Sequence, residues 1–122
     1  LRSDEEAVGL YARALIGAKQ YARAAVALER PAASDNASGL TLYLLGLAHS
    51  RANNFPKAIA ALERALAKSP ADVNSYRELG YDYEKTKQYA KAFGIYQKAL
   101  DVAPNDADFK ESLERVRPFA KT

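Results

Sequence analysis

A period of 34 residues runs through this chain and constrains its fold more than any other feature. Gly80 stands 34 positions after Gly46, and the surroundings align: Tyr76, Leu79, Gly80 and Tyr83 fall in register with Leu42, Leu45, Gly46 and His49. One step further back lie Val8, Tyr11, Ala12 and Leu15. In each block these residues are spaced i, i+3, i+4 and i+7, which puts them on one face of an α-helix. Each block continues with a polar-polar-aromatic triplet, Lys19-Gln20-Tyr21, Asn53-Asn54-Phe55 and Lys87-Gln88-Tyr89, where the chain must reverse. A second set of small and apolar residues follows at helical spacing: Ala24 and Leu28, then Ala58, Leu62 and Ala65, then Ala92, Tyr96 and Ala99. The repeating unit is therefore a helical hairpin, with a first helix A and a second helix B. Such a unit cannot bury its own apolar face and must stack on its neighbours.

The punctuation keeps the same beat. Asp4, Ser38, Asp72 and Asp106 recur every 34 residues, each at a predicted helix start, where a short side-chain oxygen accepts from an unpaired first-turn amide. Pro70 and Pro104 follow the second and third B helices, and Pro56 suits a first helical turn, which has no use for the missing amide. The first hairpin departs from the pattern. Pro31 stands where Ala65 and Ala99 stand later, so its B helix is expected to stop near Arg30, with residues 31–37 forming an irregular connection. Beyond Asp106 the chain begins like another A helix, but Lys110, Glu114 and Arg117 replace core residues. Phe109, Leu113 and Val116 would cover the third hairpin, and Pro118 would end the helix.

These residues resemble the tetratricopeptide repeat: the 34-residue step, the Leu-Gly pair with an aromatic or His three positions on, the Ala after the turn, the Ala seven further and the closing Pro. The match is plain over residues 39–106 and weaker over 5–38. The pentatricopeptide repeats, a related family of RNA binders, would step by 35. The expected fold is all-α: a right-handed superhelical stack of three hairpins (5–38, 39–72, 73–106) and a capping helix (107–117), in one domain spanning 1–122. With 122 residues the chain has room for little more.

Composition narrows the chemistry. There is no cysteine, so disulfides and thiolate metal sites are excluded. The chain also lacks methionine, as expected of a part of a longer product. Asp4, Glu5 and Glu6 stand where a signal peptide needs positive charge, and no apolar run reaches membrane-spanning length. The compartment is left open. The one histidine, His49, falls on the core face of its helix and reads as a packing residue with one hydrogen bond. No Cys/His cluster, spaced carboxylate loop or glycine-rich phosphate loop is present. The reading is accordingly not an enzyme, with no catalytic residue, metal or cofactor.

The resemblance implies that helix A residues line a concave groove holding a peptide or helical segment of a partner protein. In the first repeat the groove stripe reads Glu6, Leu10, Arg13 and Gly17, and in the third Asn74, Glu78, Tyr81 and Lys85. Both are wettable. The middle stripe, Leu40, Leu44 and Leu47 beside Tyr43, is apolar although Leu42 and Leu45 already occupy the core face. A helix apolar on two faces must be covered on both or must await a partner. The candidate site is therefore Leu40, Tyr43, Leu44, Leu47 and Tyr81, rimmed by Arg13, Arg51 and Arg77. It would suit a protein or peptide with apolar anchors and an acidic group. Burial of the leucines by adjacent A helices is one alternative, and self-association as a homodimer is another. Some family members grip chaperone tails by their C-terminal carboxylate with a clamp of lysines, arginines and asparagines. Arg13, Leu47 and Tyr81 occupy the places expected of its asparagines, which argues against that role.

A basic row, Arg23, Lys57 and Lys91 with Arg30, Arg64 and Lys98 seven residues on, lies along the B helices. Glu29 and Glu63 interleave with it and no aromatic platform accompanies it, so it reads as a solvated face. Nucleic-acid binding through this row is the third functional reading.

Overall fold

A computed structural model describes residues 2–120, and the side chains from residue 4 onward. Seven α-helices follow one another among these residues: α1 (Arg2–Gly17), α2 (Tyr21–Ala32), α3 (Gly39–Arg51), α4 (Phe55–Lys68), α5 (Val73–Lys85), α6 (Tyr89–Val102) and α7 (Ala107–Val116), with a short 3-10 turn at Arg117–Phe119. Each helix packs on the next along the chain, and the A helices α1, α3 and α5 also touch in sequence. The result is the expected stack of three hairpins closed by α7.

Two glycines allow the hairpins to close. A Cβ on Gly46 would lie 2.5 Å from Cγ of Leu62, and one on Gly80 would meet the ring of Tyr96. Helices α3 and α4, and α5 and α6, therefore cross at a distance only a bare Cα permits. The A–B turns share one device. Lys87 adopts a left-handed backbone (φ 60°), its amide donates to Glu84 O, and the Gln88 amide donates to Tyr83 O at 2.8 Å. This pair of bonds is a Schellman motif, and it recurs at Lys19 and Asn53 with φ 62° and 63°.

The core runs along the stack. Leu28, Leu42, Leu62 and Leu79 are fully enclosed, and Phe109 and Val116 of α7 seal the third hairpin as anticipated. The buried tyrosines satisfy their hydroxyls: Tyr76 donates to Pro70 O, Tyr83 to Glu63 and Tyr96 to Glu84. His49 is buried, and desolvation followed by Lys57 lowers its pKa, so it packs as a neutral ring. Tyr11 takes the register position of the enclosed Leu79, yet it is exposed, because no hairpin among the described residues lies on that side of α1.

Two local expectations are corrected. Asp4 lies within the first turn of α1 rather than ahead of it, while Ser38, Asp72 and Asp106 do cap α3, α5 and α7. Helix α2 does not stop at Arg30 but continues through Pro31 to Ala32. The missing amide costs one bond in the last turn, and burial of Ala32 against Leu42 and Ala65 holds that turn in place. Arg64 Nη1 donates to Ala32 O at 2.8 Å and Lys68 Nζ to Asp35 O at 2.6 Å, so α4 secures the connection that follows. Arg64 remains exposed like the rest of its row while donating to this connection.

Candidate functional site

The second stripe of each A helix was expected to form the inner side of the stack. Between α1 and α3 lies a cleft lined by Glu5, Glu6, Gly9, Leu10, Arg13, Ser38, Leu40, Thr41 and Leu44. Gly9 faces Leu44, whose Cδ1 lies 4.0 Å from the place a Cβ would take, an ordinary contact distance. Leu44 is only 4% exposed and packs with Ala12, Leu15, Ala24, Leu28 and Ala48. The adjacent A helix has covered this leucine, so it forms the floor of the cleft and is not available to a partner. Leu40 remains 50% exposed and Leu10, across the cleft, 68%. Tyr43 and Leu47 are half-buried, and burial, then Glu78 and Asp72, raise the pKa of the Tyr43 phenol.

Glu5 closes one end of this cleft. Its carboxylate accepts from the Ser38 amide at 3.0 Å and from the Thr41 hydroxyl at 2.6 Å, so α1 is tied to the start of α3. The Thr41 bond, followed by that from Ser38, holds Glu5 below the usual carboxylate range.

Towards α7 the inner surface changes character. Arg51 donates to both carboxylate oxygens of Glu78 at 2.9 and 3.1 Å, a bidentate pair that raises its pKa. Arg77 pairs with Asp106 at 3.1 Å and Asp108 at 3.5 Å, and its guanidinium lies 4.5 Å from the centre of the Phe109 ring. Arg115 of α7 binds Glu84 at 2.7 Å. Burial pushes the Glu84 carboxyl up, but bonds from Arg115 and Tyr96 outweigh it and hold Glu84 low. Tyr81 stays exposed, edge-on to Phe55 at 6.4 Å with the Lys85 ammonium 5.9 Å from its ring centre.

The eight residues expected to form the site thus separate. Arg13 and Leu40 line the open cleft, with Tyr43 and Leu47 half-buried along the same stripe and Tyr81 at the far side. Leu44 is enclosed, and Arg51 and Arg77 are held by carboxylates of this chain. Leu10 was legible in the stripe but hidden there between Glu6 and Arg13. The partnership of Arg51 with Glu78 has no signature in the sequence, because the two lie on different helices.

Among the described residues no group of three His, Cys, Asp or Glu side chains is placed to hold a metal ion, and no helix is long and apolar enough to cross a membrane.

Comparison with known proteins gives a consistent picture. Solved structures share the fold over nearly the whole chain. The first tetratricopeptide domain of Spaghetti (RPAP3), bound to the HSP90 peptide SRMEEVD, superposes with a TM-score of 0.85 at 14% identity, covering 98% of each chain. The OM64 domain of Arabidopsis gives 0.86 at 19% identity, covering 95% of this chain and 96% of that one. The MamA protein is a third, with a TM-score of 0.89 at 22% identity; the match covers 95% of this chain and 63% of that longer one. No curated protein sequence matches the chain. A tetratricopeptide repeat family model matches residues 43–107, from within α3 to the first residue of α7. The match covers more than half of a chain whose hairpins, glycine crossings and capping helix all follow that pattern, and the chain belongs to the tetratricopeptide repeat family.

Proposed function

We propose that this domain is a non-catalytic protein-interaction module that holds a segment of a partner protein along the inner side of its A helices. The observation that carries this reading is the open apolar cleft between α1 and α3, where Leu10 and Leu40 stand largely exposed above the buried Leu44. Two exposed leucines facing one cleft are a costly arrangement for a surface that meets only water. Tyr43, Leu47 and Tyr81 continue the apolar track, and Arg13, which has no ion-pair partner among the described residues, supplies a cation at its edge. The use of this fold by the RPAP3 domain to hold a chaperone peptide supports a peptide-sized occupant.

Site-specific photo-crosslinking tests the reading. A benzoylphenylalanine in place of Leu40 is expected to form an adduct with a partner segment, while the same probe in place of the exposed Val26 on α2 is not. Adducts formed only with a second copy of the chain would favour self-association. Equal labelling at both positions would remove the groove.

A further inference from the structure

Three arginines, on α3, α5 and α7, are each already held by a carboxylate from a different helix or from the segment leading into one. Arg51 of α3 is held by Glu78 of α5, Arg77 of α5 by Asp106 and Asp108 at the start of α7, and Arg115 of α7 by Glu84 of α5. Three guanidinium groups thus face four carboxylates, and the C-terminal half of the groove offers no unpaired cation of this set. Glu78 is the most enclosed of these acids, with its side chain only 13% exposed. A partner carboxylate approaching Arg51 must displace a bidentate pair and leave Glu78, partly desolvated, beside the incoming acid of like charge.

We propose that Glu78 is a specificity-determining residue: by occupying Arg51 it excludes acidic groups from the part of the groove between α3 and α5 and restricts that part to apolar stretches poor in Asp and Glu. The proposal rests on the groove reading above and commits that groove to one kind of occupant. Charge complementarity carries it: the apolar cleft between α1 and α3 is open, whereas the guanidinium groups towards α7 are each answered by a carboxylate of this chain, and the exposed Lys85 lies against the Tyr81 ring. The acidic group expected of a partner on sequence grounds is thereby kept from Arg51 and left to Arg13 and Lys85.

The test uses the peptide SRMEEVD, which the RPAP3 domain holds, as a fluorescent probe in anisotropy titrations at low ionic strength. The intact domain is expected to bind it weakly. Glu78→Gln, which removes the charge, and Glu78→Ala, which also removes the acceptor, are expected to tighten binding by about tenfold, equivalent to about 1.4 kcal/mol. Arg51→Ala in either background should abolish the gain, and far-UV circular dichroism verifies that helicity is retained. Tight, Arg51-dependent binding by the unaltered domain would overturn the proposal, and so would the absence of any gain in both Glu78 variants. These outcomes are separate from the crosslinking at Leu40: a groove that labels there yet takes the acidic peptide readily retains its function and loses only the assigned selectivity.

Discussion

The hydroxyl of Ser50 donates to Oδ1 of Asp82 at 2.5 Å across the gap between α3 and α5, and Oδ2 of the same carboxyl has no hydrogen-bond partner among the described residues. Asp82 is 0% exposed, and burial raises its pKa from 3.8 to about 7, against the opposing Ser50 bond and with help from Glu78. Burial with one bare oxygen favours the neutral, protonated form of this acid over the charged one.

Stability should therefore depend on pH through this residue. Between about pH 4 and pH 7 the folded chain retains a proton that the unfolded chain has released, so stability falls as pH rises across that window and levels off above it. The full shift corresponds to at most about 4 kcal/mol. Asp82→Asn, which keeps an acceptor for Ser50 without charge, is expected to change little near pH 4 and to stabilise by about 2 to 4 kcal/mol near pH 8. Urea unfolding of both proteins across this range measures the difference directly, which cancels the opposite contributions of Glu5 and Glu84 at lower pH. A difference that stays constant with pH would show that Asp82 ionises as readily folded as unfolded.

Leu40 and Leu44 are one helical turn apart, and only the structure separates them. Leu44→Ala should cost about 2 to 5 kcal/mol, because it empties the contact between the first two hairpins. Leu40→Ala should stay within about 0.5 kcal/mol while removing partner crosslinking at neighbouring positions. Chemical denaturation that ranks the two variants in the other order would place the cleft floor at Leu40.

The left-handed residue of each A–B turn is a lysine or asparagine rather than glycine. Lys87→Gly relieves the Cβ contact at φ 60° while keeping both Schellman bonds, and is expected to stabilise the third hairpin by about 0.5 to 1 kcal/mol. A lower thermal midpoint for this variant would contradict the assignment.

Arg64 and Lys98 share a register in the B helices, yet only Arg64 holds the backbone of the preceding connection. Arg64→Ala leaves the Ala32 carbonyl without that donor and should cost about 1 kcal/mol or more. Lys98→Ala should lie within about 0.5 kcal/mol. Parallel urea titrations of the two variants give the comparison.

The hairpins, the glycine crossings and the capping helix were legible because each rests on spacing within a few turns of chain. A residue at i+4 or i+7 shares a face whatever the rest of the molecule does, and a step of 34 residues repeats that face. The caps at Ser38, Asp72 and Asp106 and the seal formed by Phe109 and Val116 belong to the same class of local evidence. Helix α2 was harder to delimit, since Pro31 argued for a stop and burial of Ala32 by a later helix overrode it.

The site divides along the same line. Sequence periodicity alone determined that Leu40, Tyr43, Leu44 and Leu47 share one face of α3 and that Arg51 continues the same stripe. Tertiary structure alone decided that Leu44 is covered while Leu40 is open, that Glu78 occupies Arg51, and that Asp82 is sealed against Ser50. Each of these outcomes depends on how closely neighbouring A helices approach and which turns come level. That registry arises from packing between residues about 30 positions apart and leaves no mark in the spacing along either helix.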